Sequence, residues 1–264
     1  VSLYRIKQII NYKDSILVVD GTIHNDDIIG NVEFKNVSFK YDKLKVLKNI
    51  SFTAKPNQIT AIVGKTGSGK TTIFNLLLRM YKVNSGQILI DGLNIYDYSR
   101  DVFNSNISIV NQKTFIFNMS IRANLSLIDS NKKRQIDACK RVGIHDFIMS
   151  LPDGYSTILK EDATNISGGQ KQLLSLARAL LTSSEIILLD EVTSSLDPNT
   201  TNKIINLLDD LKTDHTIIVI THNKDLMRRA DKLIVLNNGK IECIGNNNDL
   251  IKKNKVYKQL VIED

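Results

Sequence analysis

Ile59-Thr60-Ala61-Ile62-Val63-Gly64-Lys65-Thr66-Gly67-Ser68-Gly69-Lys70-Thr71-Thr72 is the stretch that decides the fold. Its first five residues are an apolar run without alternation, the mark of a short strand buried on both faces. Gly64 to Thr71 then satisfy G-x-x-x-x-G-K-[ST], and from Lys70 to Met80 the apolar residues Ile73, Leu76, Leu77 and Met80 fall on one helical face. Glycines at these places let main-chain N–H groups turn inward around phosphate oxygens without a Cβ in the way. The helix N-terminus adds the positive end of its dipole. Lys70 is then placed for the β- and γ-phosphates and the Thr71 hydroxyl for Mg²⁺, with Lys65, Thr66, Ser68 and Thr72 completing the cradle. A bare strand-to-helix turn needs glycine, but it has no use for a lysine and a threonine in this register. ATP and Mg²⁺ are the expected ligands.

Working outward, strand patterns precede the loop from Asn31. Val32 and Phe34 alternate with polar residues, Val37 and Phe39 continue out of phase, and a bulge is expected between them. Val46 to Thr53 reads as a second strand. After the loop, apolar runs at Ile107–Val110, Ile186–Leu189, Ile217–Ile220 and Leu233–Leu236 alternate with helical patterns at Lys171–Leu181, Asn199–Leu211 and Lys224–Arg229. Such alternation predicts a mainly parallel, covered sheet. The stretch from about Lys113 to Asn165 has helical patterns without a buried strand and reads as a helical insertion, with 113–168 as its bounds. At the other end, Leu3, Ile6 and Ile10 have helical spacing before Gly21 and His24-Asn25-Asp26-Asp27 break it. Residues 1–30 are therefore expected to be a linker with a short amphipathic helix.

Four further residues emerge at strand ends. Asp190 and Glu191 follow Ile186–Leu189, and in open α/β sheets ligands bind where strands finish. Asp190 suits Mg²⁺, and Glu191 suits polarising an attacking water. Acids capping a strand are common as plain solvated residues; the phosphate loop in the same domain favours the functional reading. His222 follows Ile217–Ile220 through Thr221 and suits a γ-phosphate contact, while Gln112 follows Ile107–Asn111 and suits Mg²⁺ or water. Ser167-Gly168-Gly169-Gln170 opens a helix and forms a second anion site. One domain has no need of two phosphate cradles, whereas two copies facing head to tail would use both.

Taken together, these segments resemble the nucleotide-binding domain of ATP-binding cassette (ABC) transporters over about Asn31 to Leu260. The motifs stand in the family's order: Tyr41, the phosphate loop, Gln112, Ser167 to Gln170, Asp190-Glu191, Ser194-Ser195-Leu196-Asp197 and His222. The resemblance implies an α/β fold, a P-loop NTPase (RecA-like) core with a mainly parallel sheet, an N-terminal antiparallel β part and the helical insertion. It implies that Tyr41 stacks on adenine and that Gln112 links the metal site to a transmembrane domain. Ser167, Gly168, Gly169 and Gln170 would bind the ATP of a second subunit, with Asp197 in the loop crossing the dimer. Glu191 would be the catalytic base and His222 the γ-phosphate sensor. Phe117 to Leu125 and Glu161 are similar to exporter segments, so an ATP-dependent homodimer or paired cassette at the cytoplasmic face of a membrane is expected, residues 1–30 being the connector from a membrane domain. Three positions depart from the family pattern: Ile166 for leucine, Asn111 for proline and Lys160 for glycine.

Composition limits the alternatives. The 264 residues carry a net charge of +7, which favours anionic partners, and only two cysteines, which argues against a disulfide framework. No apolar run approaches the roughly 18 residues of a membrane span. Two other readings share the motifs: the ATPase subunit of an ABC importer, and an ABC-type ATPase acting on nucleic acid or ribosomes. Against the second, the basic residues are scattered and not arrayed with aromatics, and no nucleic acid is expected.

Overall fold

The computed structural model describes residues 21–24 and 27–262. The amphipathic helix expected around Leu3, Ile6 and Ile10 lies outside them.

Two sheets organise the chain. In the first, strands β1 (Val32–Tyr41), β2 (Leu44–Ala54), β4 (Ser85–Ile90) and β5 (Leu93–Asn94) pair in the order β2-β1-β4-β5, all antiparallel. The bulge expected after Phe34 is present: the β1–β2 register shifts between Phe34 and Val37, where Asn36 takes a φ of 51°. That extra step returns Val37 and Phe39 to the buried face.

The second sheet has six strands in the order β10-β9-β3-β8-β7-β6. Its members are β3 (Ile59–Val63), β6 (Ile107–Val110), β7 (Ile186–Asp190), β8 (Thr216–Ile220), β9 (Lys232–Asn237) and β10 (Lys240–Gly245). All pairings are parallel except that of β10, which folds back on β9. The unbroken apolar runs are explained by the two cores. Ala61, Ile187, Leu189, Ile217, Val219 and Val235 point into one core, and Ile62, Ile186, Leu188, Ile218, Ile220 and Ile234 into the other. Alternate side chains serve opposite faces, so both parities must be apolar. The first core is closed by helices, and the second by the antiparallel sheet with α1 (Lys70–Leu77).

Helix α1 stops earlier than the periodicity predicts. Arg79 adopts a φ of 59° and Met80 is 59% exposed, so Met80 does not join Ile73, Leu76 and Leu77 on the buried face. Its apolar character fits the 3.6 spacing, but the backbone has left the helix before it is reached. The pattern also missed β4, whose first three residues are exposed and polar or glycine and which is defined by pairing with β1. It missed α2 (Arg100–Asn106), too short to show a period.

Between Lys113 and Asn165 lie α3 (Ile121–Ser126), α4 (Lys132–Arg141) and α5 (His145–Ser150). Ser120, Asn131 and the box at Ser167 cap their helices with side-chain oxygens, satisfying main-chain N–H groups that no helix turn reaches. Helix α6 (Gly168–Leu181) carries Leu173, Leu174, Leu176 and Ala177 into the same core as α4, and so joins these short helices to the sheet. Helix α7 (Pro198–Leu211) begins with proline at its first turn, where the missing N–H costs nothing. The chain closes with α8 (Lys224–Arg229), α9 (Asn247–Lys253) and α10 (Lys255–Ile262). Among the described residues no helix is long and apolar enough to cross a membrane.

Candidate functional site

The phosphate loop lies between the end of β3 and the start of α1, at the carboxyl edge of the parallel strands. Gly69 has a φ of 107°, and a Cβ there would meet Leu47 Cδ2 at 2.8 Å, so only glycine fits the turn into the helix. Gly67, at φ 78°, faces open space instead. Lys70 is 7% exposed and its ammonium donates to the carbonyls of Gly64 at 2.7 Å and Lys65 at 3.2 Å. The lysine is thus folded back into its own loop. Burial lowers its pKa, and the negative charges of Glu191 and Asp190 oppose that.

Two observations bear on whether this loop suits phosphate and Mg²⁺. The buried Ser68 Oγ has no hydrogen-bond partner and lies against Gly64, where an added Cβ would meet it at 2.9 Å, so the loop has room for glycine only at that turn. The Asp190 carboxyl is pushed up to about 6, by burial first and by the adjacent Glu191 charge second, with Lys70 pulling the other way. A carboxylate so disfavoured as an isolated charge gains from a cation beside it. Mg²⁺ is held by one or two carboxylates together with hydroxyl and phosphate oxygens, and Asp190 and Thr71 are donors of those types. The residues fit the ligands.

Glu191 is the meeting point. Its Oε2 accepts from Gln112 Nε2 at 2.6 Å, and its Oε1 lies 3.5 Å from His222 Nε2. These side chains come from the ends of three adjacent strands, β6, β7 and β8. Glu191 itself has a φ of 50°, and its N–H donates to the Ile220 carbonyl at 2.9 Å. The chain therefore turns sharply after Asp190, sending the two neighbouring carboxyls in different directions.

Tyr41 ends β1 and packs edge-on against Phe39 and Tyr81, with ring centroids 4.7 and 5.0 Å away. Its hydroxyl accepts from Asn75 Nδ2 at 3.3 Å, which ties it to α1. Tyr81 and Asn75 escaped the sequence reading; an aromatic just past α1 was the available signal.

The serine–glycine segment stands apart. Ser167, Gly168, Gly169, Gln170 and Asp197 line a cleft of about 450 Å³ with Ser195, and no phosphate-loop residue takes part in it. Gln170 uses its side chain at home: Oε1 accepts from Ser167 N at 2.8 Å while Ser167 Oγ accepts from Gln170 N at 3.2 Å, a reciprocal cap of α6. Asp197 likewise caps α7, accepting from the N–H groups of Asn199 and Thr200 at 3.0 Å each. A hydrogen bond from the Thr200 side chain, and after it these main-chain ones, hold its carboxyl below the usual carboxylate range.

Residues 47–194 match the ABC transporter family. The chain is 40% identical over 246 residues to an ATP-dependent lipid A-core flippase of Haemophilus influenzae (strain 86-028NP), covering 91% of this chain and 42% of the flippase. It is 39% identical over 244 residues to a putative multidrug export ATP-binding/permease protein of Bacillus subtilis (strain 168), again covering 91% of this chain and 42% of the relative. Among solved structures, a bacterial Atm1-family ABC exporter with ATP bound superposes with a TM-score of 0.91 at 30% identity, covering 98% of this chain and 46% of that one. The chain thus spans less than half the length of each of these relatives.

Proposed function

Given that this chain belongs to the ABC transporter family, we propose that it is the ATP-binding and ATP-hydrolysing domain of an exporter, pairing head to tail with a second cassette and driven by two shared ATP molecules. The observation that carries this reading is the convergence of Gln112 and His222 on Glu191 beside the phosphate loop.

In the proposed cycle Lys70 exchanges the Gly64 and Lys65 carbonyls for phosphate oxygens, a stronger charge-assisted pairing. The inward N–H groups of the loop take further oxygens, and Tyr41 presents its ring to adenine. Thr71 and Asp190, together with Gln112, would hold Mg²⁺, which when bound would supply positive charge to neutralise the triphosphate. Glu191 orients a water and accepts its proton as the oxygen attacks the γ-phosphorus and the bond to ADP breaks. His222 contacts the γ-phosphate from the side opposite Gln112. Ser167, Gly168 and Gly169 offer the α6 N-terminus to the partner's ATP, with Asp197 in the loop between the two sites. The half-length match to flippase and exporter relatives supports a transmembrane partner and a place on the cytoplasmic side of a membrane; in this reading residues 1–30 are the connector and residues 113–168 a helical subdomain.

Sizing Glu191→Gln protein with and without Mg-ATP tests the reading. An ATP-dependent shift from monomer to dimer is expected, and a protein that binds ATP but stays monomeric at saturating nucleotide would overturn the paired-site mechanism.

A further inference from the structure

Glu191 is held by its main chain as well as through its carboxylate. Its carbonyl oxygen accepts from Gln172 Nε2 at 3.3 Å, from Ser194 Oγ at 2.9 Å and from Ser194 N at 3.1 Å. Gln172 is 3% exposed, an uncommon place for a polar side chain unless its hydrogen bonds are needed. It stands on α6, the helix whose first turn carries Ser167, Gly168 and Gly169. Glu191 meanwhile occupies the left-handed backbone region, which a residue with a side chain adopts only when its surroundings enforce it.

We infer that Gln172 is a positioning residue for Glu191, fixing the left-handed turn that sends its carboxylate to Gln112 and His222 and tying that turn to the helix that reaches the second subunit's nucleotide. The inference rests on Glu191 being the base. Were the Gln172 donor lost, one of the restraints on the Glu191 carbonyl would go, and the turn would relax toward conformations that point the carboxylate elsewhere. The phosphate cradle does not depend on this contact. Substrate binding should therefore survive while the chemical step fails. Because α6 is one rigid element, a shift of its Ser167 end on meeting the partner's nucleotide moves Gln172 with it. The partner's site and this chain's own glutamate are then joined through a single helix.

Gln172→Met keeps side-chain length and apolar volume but removes the N–H donor. In the dimerising protein, kcat for ATP hydrolysis is expected to fall about tenfold or more with KM for ATP within about twofold and the thermal midpoint unchanged. Ser194→Ala removes a second donor to the same carbonyl, so the double variant should lose less than the product of the two single losses. A Gln172→Met protein with wild-type kcat, alongside an inactive Glu191→Gln protein, overturns the positioning role and leaves the base assignment standing. A loss of activity that only matches a fall in folded fraction also overturns it. Turnover by Glu191→Gln removes the base assignment itself, and is read independently of Gln172.

Discussion

Gln112 Nε2 and Glu191 Oε2 are 2.6 Å apart although 79 positions separate the residues in sequence. The amide holds the carboxylate at the strand-end edge where the γ-phosphate is expected, and His222 Nε2 flanks the other oxygen at 3.5 Å. A neutral donor on one side and an imidazole on the other orient the carboxylate without neutralising it permanently.

Glu191→Gln keeps the shape of the side chain and its contacts but cannot accept a proton. Steady ATP hydrolysis should drop by about 10²–10⁴-fold, the usual worth of a positioned base. Nucleotide affinity should be retained, as measured by equilibrium binding. Normal turnover would exclude Glu191 from proton transfer.

Lys70→Ala removes an ammonium that now satisfies two loop carbonyls. ATP affinity should fall by about 10–100-fold, corresponding to about 1.5–3 kcal/mol for a charged hydrogen bond. Titration of a fluorescent ATP analogue reads this directly, and unaltered affinity would place the triphosphate elsewhere.

Asp190 makes stability depend on pH in a defined direction. Its carboxyl titrates near 6 in the folded chain against 3.8 as a free side chain, so the folded state binds more protons between those values. Stability of the nucleotide-free protein therefore falls as pH rises through that window. The penalty is absent below 3.8 and complete above about 6. Two pKa units are worth about 3 kcal/mol, which partial exposure reduces to about 1–2 kcal/mol. Denaturant melts of Asp190→Asn should exceed the wild type by that amount at pH 7.5 and converge with it near pH 4; a constant difference across the range would assign the effect to packing.

Ser167→Ala removes the hydroxyl that accepts from Gln170 N and opens the reciprocal cap of α6. A loss of about 0.5–2 kcal/mol is expected from chemical denaturation. Dimer formation with ATP should weaken as well, since the same residue offers its helix end to the partner. Intact dimerisation beside the stability loss would confine Ser167 to capping.

The two cysteines should be distinguishable by alkylation. Cys139 is fully buried, and burial pushes its thiol up to about 11, leaving almost no thiolate near pH 8. Cys243 is only partly buried. Mass spectrometry after maleimide treatment should find Cys243 modified in the folded protein and Cys139 only after denaturation. Early labelling of Cys139 would mean that the helices around it open readily.

Much of this was legible in the chain itself. Apolar runs with both parities filled announced strands covered on two sides, and Gly64 to Thr71 announced the turn between strand and helix. Local periodicity worked where an element carries its own signal. It failed for Met80, because the helix ends by a backbone reversal at Arg79 that no periodicity encodes. It failed for β4, because half of that strand is exposed and its identity comes from pairing with β1.

The phosphate cradle is legible in the chain alone, because that chemistry needs glycine, lysine and threonine close together on one turn. What folding adds is contact: Gln112 and His222 both meet the Glu191 carboxylate. Strands β6, β7 and β8 run parallel and side by side, so their carboxyl ends fall along one edge and deliver distant residues to the same place. The strand ends in the sequence show that each residue reaches the ligand edge but not which of them touch, since strand order is settled by which apolar surfaces pack together once the chain has folded.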